Sequence, residues 1–193
     1  MTQRYNPQDI YFKKAQKEGY RARSVYKLKE IDEKFRIFKR GQKVLDLGCA
    51  PGSWTQYLVE KTGGEVIGVD IQEVEIIQGA DTFICDIFSG NLDILFKNKG
   101  LSKFDVIVSD MAPKTTGVSD VDQYASVELN IEALQVVNKY LKPNGWAVFK
   151  IFRGEDFNDF WSEAKKIFPD MKTFKPKACR DRSFEVYCIG KRK

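Results

Sequence analysis

Histidine is absent from all 193 residues. That excludes Ser-His-Asp and Cys-His nucleophile systems and every metal site built on imidazole, so a general base here must be a carboxylate or an uncharged lysine. Cysteine is scarce as well. Cys49, Cys85, Cys179 and Cys188 show no paired ligand spacing, so no metal is expected and a reduced, cytoplasmic setting is. No apolar run approaches the length of a membrane span, and Met1–Ile10 is too polar for a secretory signal. Apolar residues make up 42% and charged residues 31%, an ordinary balance for a soluble domain, and the length suits one core. We expect a single domain over 1–193, monomeric and away from membranes.

The net charge of +5 conceals a pattern. Residues 1–43 sum to +8, residues 44–164 to −10 and residues 165–193 to +7. Two basic ends flanking an acidic middle point to a polyanion partner, because clustered Lys and Arg are the electrostatic footprint of nucleic-acid binding. Arg21, Arg23, Lys34, Lys39 and Arg40 would form one RNA-binding bank, and Lys175, Lys177, Arg180 and Arg182 the other. Tyr11, Phe12, Tyr20 and Tyr26 lie among the first set, placed either for base stacking or as anchors of a helix.

The spacing of Val25, Leu28, Ile31 and Phe35 predicts an amphipathic helix over 23–35, within a basic N-terminal segment of about forty residues that precedes a core over 43–193. Strands are predicted at 43–47, 65–70, 81–85, 104–109 and 145–152, with helices near 53–62, 121–141 and 156–168. This alternation argues an α/β fold: a mostly parallel, seven-stranded Rossmann-like sheet with helices on both faces. The end of the chain differs. Segments 171–176 and 184–190 have no helix between them and read as an antiparallel hairpin at the sheet edge.

Between strand 43–47 and the following helix the chain reads DLGCAPGSW, a side-chain-poor corner preceded by Asp46. Asp70, Asp86 and Asp110 stand at or just past the ends of three other strands, on the edge where open α/β sheets bind ligands. The corner lacks the third glycine of a dinucleotide fingerprint and the Gly-Lys-Ser/Thr of a P-loop. An acid-rich edge suits a ligand that is cationic at its reactive end and carries a ribose and a base; S-adenosyl-L-methionine fits that description.

DLGCAPGSW (46–54), SDMAPKTTG (109–117), VFKIFRGE (148–155) and SFEVYCIG (183–190), preceded by RARSVYKLKEI (21–31), together resemble the FtsJ/RrmJ (RlmE-type) family of S-adenosylmethionine-dependent ribosomal RNA 2′-O-ribose methyltransferases. The resemblance runs over essentially the whole chain. It implies a single class I methyltransferase domain with a catalytic tetrad of Lys27, Asp110, Lys150 and Glu185, in which Lys150 accepts the proton. It implies cofactor contacts at Gly52, Trp54, Asp70, Asp86 and Asp110, with Asp70 on the ribose hydroxyls, Asp86 on the adenine edge and the Gly52–Trp54 backbone lining the pocket. The implied substrate is a uridine of large-subunit (23S-type) ribosomal RNA. Transfer RNA ribose, and a non-catalytic RNA-binding role on the same fold, are the alternatives. Cys49, Ser53, Lys114 and Cys179 depart from residues common in the family at their positions.

The chemistry can be argued from the residues. A ribose hydroxyl is a poor nucleophile until its proton is removed or held, so the enzyme must supply alignment and a base. A lysine base works only uncharged, which desolvation or a neighbouring cation favours and neighbouring carboxylates oppose.

Overall fold

The computed structural model describes residues 7–180 and 183–193, with the order α1 (Pro7–Lys17), α2 (Val25–Phe35), β1 (Val44–Leu47), α3 (Ser53–Thr62), β2 (Val66–Asp70), β3 (Ala80–Ile84), a 3₁₀ turn (Ile87–Ser89), α4 (Asn91–Asn98), β4 (Phe104–Ser109), α5 (Ser119–Tyr140), β5 (Leu141–Phe152), α6 (Phe157–Ile167), β6 (Lys172–Phe174) and β7 (Glu185–Lys191). The seven strands form one sheet in the order β3-β2-β1-β4-β5-β7-β6. The first five are parallel, and β7 runs antiparallel between β5 and β6. This is the mixed Rossmann-like sheet that the alternation predicts.

Successive strand residues point to opposite faces, and two cores follow from that. Leu45, Leu47, Ile67, Val69 and Ile107 pack beneath α4, α5 and α6. Val44, Val66, Val106, Val108 and Val148 pack beneath α1, α2 and α3. All four residues of β1 are buried, because it lies between β2 and β4 with helices above and below. The order reverses between β1 and β4, which opens a crevice beyond their carboxyl ends.

Three readings need correction. β5 begins at Leu141, not at 145: Leu141 pairs with Phe104, and the ladder resumes with Trp146 opposite Val106 after an excursion through Pro143-Asn144-Gly145. A turn signal inside a strand conceals Leu141 and Lys142 before it. α4 has no counterpart among the predicted elements; only Leu92 and Phe96 are buried in its eight residues, too little periodicity to register. In the hairpin, β6 spans only three residues, at the sheet edge. The early aromatics are resolved as well. Tyr20 and Tyr26 belong to the core, Tyr11 lies 5.3 Å from the Tyr26 ring, and Phe12 is exposed.

Candidate active site

The corner after β1 is held by backbone bonds. The amides of Gly48 and Cys49 both donate to Val69 O, and Ala50 N donates to Asp70 Oδ2 at 2.9 Å. Gly48 has φ 74°, and a Cβ there would collide with Met111. Only glycine serves at that crossing. Ser53, where a second glycine is common in the family, is buried and shares a 2.9 Å hydrogen bond with Ser24 at the start of α2.

Beyond the corner lies a cleft of about 550 Å³ with Asp70, Asp86 and Asp110 on its rim, apolar walls from Val69, Ile87, Met111 and Leu129, and Lys114 at its mouth. Asp70 accepts from Ala50 N and Gln72 N, and Asp86 from Phe88 N. Each of these oxygens keeps a second lone pair for a ligand. Gly52 and Trp54 stand apart from this lining. Gly52 backs onto Arg21 and Ile77. Trp54 is core: its indole N–H donates to Ser24 O at 2.9 Å and its ring centroid lies 5.9 Å from that of Tyr187.

Asp46 is fully buried on the α3 face of β1. Thr55 Oγ1 donates to its Oδ2 at 2.7 Å, while Oδ1 has no partner among the described residues. Burial, reinforced by the charges of Asp110 and Asp70, outweighs the Thr55 bond and pushes its pKa up to about 8.

The tetrad residues come from four elements and converge. Lys27 Nζ reaches Glu185 Oε2 at 2.8 Å, and Lys150 Nζ reaches Asp110 Oδ1 at 3.1 Å and also donates to the Asp110 carbonyl. Lys150 and Glu185 are both buried, and cross-strand register sets them close: Lys150 faces Tyr187 and Phe152 faces Glu185. Burial by itself would lower the pKa of Lys27, but the carboxylates of Asp110 and Glu185 prevail and hold it above the ordinary lysine value.

Sequence reasoning assigned no site role to three further groups. Tyr187 donates to Asp110 Oδ1 at 2.8 Å; burial, then the Asp110 and Glu185 charges, drive its pKa well up, so the phenol stays a donor. Asn130 Nδ2 donates to Lys150 O at 2.8 Å and Ser126 O at 2.8 Å, tying β5 to α5. Cys179 is buried beside Glu185, and burial and that carboxylate push its thiol up to about 12. Strand alternation could have found Tyr187, two residues from Glu185 and so on its face; the other two carry no local signal.

The basic ends meet, in part. Glu30 on α2 accepts from the amides of Lys177 and Ala178, and Arg23 donates to Ala178 O at 2.8 Å, so α2 and the segment before Arg180 lie together. Lys175, Lys177 and Arg180 are exposed. Arg21 is engaged elsewhere: its guanidinium donates to Pro51 O, Glu75 O and Ile76 O at 2.9–3.0 Å, fastening the 71–78 loop to the corner. Lys34 lies near the far end of α2, and Lys39 and Arg40 follow it just before β1, at the amino ends of the strands and away from the tetrad. Arg182 lies outside the described residues. Among the described residues no helix is long and apolar enough to cross a membrane.

Residues 20–193 match the FtsJ-like methyltransferase family. The chain is 46% identical over 190 residues to the ribosomal RNA large subunit methyltransferase E of Bdellovibrio bacteriovorus, covering 96% of this chain and 97% of that protein. It is 42% identical over 182 residues to the protein of the same name from Wolbachia pipientis, with 94% of each covered. Among solved structures, a putative ribosomal RNA methyltransferase of Plasmodium falciparum superposes with a TM-score of 0.81 at 30% identity, over 90% of this chain and 98% of that one. Human methyltransferase-like protein 13 in complex with SAH gives 0.61 at 14% identity, over 79% of this chain and 72% of that one, a likeness of fold. A match over nearly the whole length, joined to relatives above 40% identity, establishes that the chain belongs to the FtsJ-like methyltransferase family.

Proposed function

We propose that this protein transfers a methyl group from S-adenosylmethionine to a ribose 2′-hydroxyl of ribosomal RNA, with a uridine of the large-subunit RNA as target. The observation that carries the reading is the pair of amine–carboxylate contacts, Lys150–Asp110 and Lys27–Glu185, gathered beside an acid-rimmed cleft. The names of the full-length relatives support the RNA class.

The cleft fits the cofactor by the chemistry of its donors and walls. Three carboxylates disfavour a polyphosphate and favour a ligand with cationic groups, ribose hydroxyls and an amino-bearing base. Asp70 would hold the hydroxyls and Asp86 the base edge. S-adenosylmethionine, when bound, supplies a methyl already activated by a sulfonium, which leaves the protein to orient the acceptor oxygen and remove its proton.

Lys27 keeps its own proton, because Asp110 and Glu185 outweigh its burial, and so acts as a fixed donor that orients the hydroxyl. The proton passes to Lys150, which serves in its uncharged form. Both acceptors at Lys150 Nζ belong to Asp110, which aims the remaining direction of the amine, and Tyr187 fixes that carboxylate in turn. Such alignment lowers the barrier by removing rotational freedom before reaction, and a positioned base adds about 10²–10⁴-fold. All four groups come from one chain, so a monomer suffices. The exposed cations Lys175, Lys177 and Arg180 would hold RNA phosphates across this edge.

The test is methyl transfer from labelled S-adenosylmethionine to ribosomal subunits, free ribosomal RNA and transfer RNA, with the product nucleotide mapped. A 2′-O-methyl uridine in large-subunit RNA is expected. Label on transfer RNA alone, or on a base, would overturn the assignment.

A further inference from the structure

Lys172, Lys191 and Lys193 take no part in the site above, yet they carry much of the positive charge after residue 165. Lys191 on β7 stands opposite Trp146 on β5, and Lys172 on β6 stands opposite Ile189. Directly opposed residues share a face, as do alternate residues along a strand. Trp146, Lys172, Ile189 and Lys191 therefore all present to the α2 side of the sheet.

α2 covers that side only as far as Phe35, where the chain leaves the helix through Arg36 in the left-handed conformation. Beyond it a groove of about 390 Å³ remains, walled by Phe35, Trp146, Lys172, Lys191 and Asp170. Trp146 is half-buried, while Lys172 and Lys191 are exposed. Asp170 in the wall pairs with Lys193 at 3.0 Å and also feels Lys172, one carboxylate among three lysines. Arg192 is committed to the carbonyls of Asn138 and Leu141.

We propose that this groove is a second RNA-contact site, in which a base stacks on Trp146 and the flanking phosphates meet Lys172 and Lys191. An aromatic face set between cations is the arrangement that binds single-stranded RNA without reading its sequence. Lys191 stands six positions along β7 from Glu185, about 20 Å at the rise of an antiparallel strand. Lys34, whose ammonium lies 4.2 Å from the Phe174 ring, and the exposed Lys175 and Lys177 provide cations between the two sites. The inference rests on the RNA reading above and extends it: the enzyme grips RNA away from the reacting ribose as well as around it.

The test is equilibrium binding of a fluorescent oligouridylate, long enough to cover both sites, to the full-length protein across a salt series. Each phosphate contact to a single strand contributes about 0.7 to the log–log salt slope, so Lys172→Ala/Lys191→Ala should flatten it by about 1.4. Protein labelled with 5-fluorotryptophan reports the stacking. The Trp146 resonance, assigned through Trp146→Phe, should move on RNA addition while that of Trp161 stays. A steep wild-type slope unchanged in the double variant overturns the groove alone. A flattened slope with a stationary Trp146 resonance overturns it too, by reducing the lysines to a diffuse field. A wild-type slope near zero removes the RNA reading itself.

Discussion

Asp46→Asn should make the unliganded protein more stable, and by an amount that grows with pH. The carboxyl is fully buried at the corner, accepts from Thr55, and its pKa rises from 3.8 to about 8, chiefly through burial. Below pH 3.8 the group is protonated in both the folded and unfolded states and contributes nothing to the difference. Between 3.8 and 8 the unfolded chain releases the proton while the folded protein retains it, so stability falls as pH rises; above 8 the loss is complete. At about 1.36 kcal/mol per pH unit, the penalty is roughly 1.5 kcal/mol at pH 5 and roughly 4 kcal/mol at pH 7. Asparagine keeps an oxygen for Thr55 and cannot ionise. Urea unfolding of both proteins at pH 5, 6 and 7 should therefore show a gap that widens by about 2.5 kcal/mol across the series, with unchanged m-values. A gap that is flat with pH would refute the neutral, buried state of Asp46.

Lys150→Arg should bind cofactor and RNA as the wild type does but lose about 10²–10⁴-fold in single-turnover rate, since an arginine cannot accept the proton; near-wild-type turnover would reduce Lys150 to an orienting cation. Lys27→Met leaves Glu185 buried without its partner and should cost about 3–5 kcal/mol in thermal or urea unfolding. Because the folded pKa of Lys27 is raised, the stability that its charge contributes should hold through neutral pH and fade only as alkaline titration passes that raised pKa, which pH-dependent melting would show. Asp70→Asn should weaken S-adenosylmethionine about ten- to a hundred-fold by calorimetry without unfolding the chain, the cost of a lost hydrogen bond to a charged group; unchanged affinity would remove Asp70 from the ribose site. Tyr187→Phe should leave cofactor affinity intact and lower the methyl-transfer rate by freeing the Asp110 carboxylate, and a normal rate would show that Asp110 holds its place without the phenol.

Local pattern made much of this protein legible. Apolar runs separated by turn residues are themselves the cause of a parallel sheet, so β1, β2 and β4 sit where the sequence predicts within a residue. The glycines of the corner and the acids at strand ends are equally local, the acids being placed by the strands themselves, while the approach of Met111 that excludes a side chain at Gly48 is a tertiary contact. The absence of histidine settled what the base could be before any geometry was known.

What is decided over long range was not legible. Lys27 and Glu185 lie 158 residues apart, and nothing near either shows that an amine and a carboxylate will meet at 2.8 Å. Only the register of β5 on β7 places Tyr187 against Lys150 and thereby fastens Asp110. The basic ends illustrate the same limit. Charge counting finds them, but tertiary contacts turn Arg21 inward to clamp a loop, set Lys39 and Arg40 at the amino ends of the strands, and leave Lys175 and Lys177 facing solvent beside α2. The order of residues along the chain sets backbone conformation and which face of a strand is apolar, because those depend on neighbours a few positions away. Which charges become buried partners and which stay exposed depends on distances between elements, and folding alone sets those.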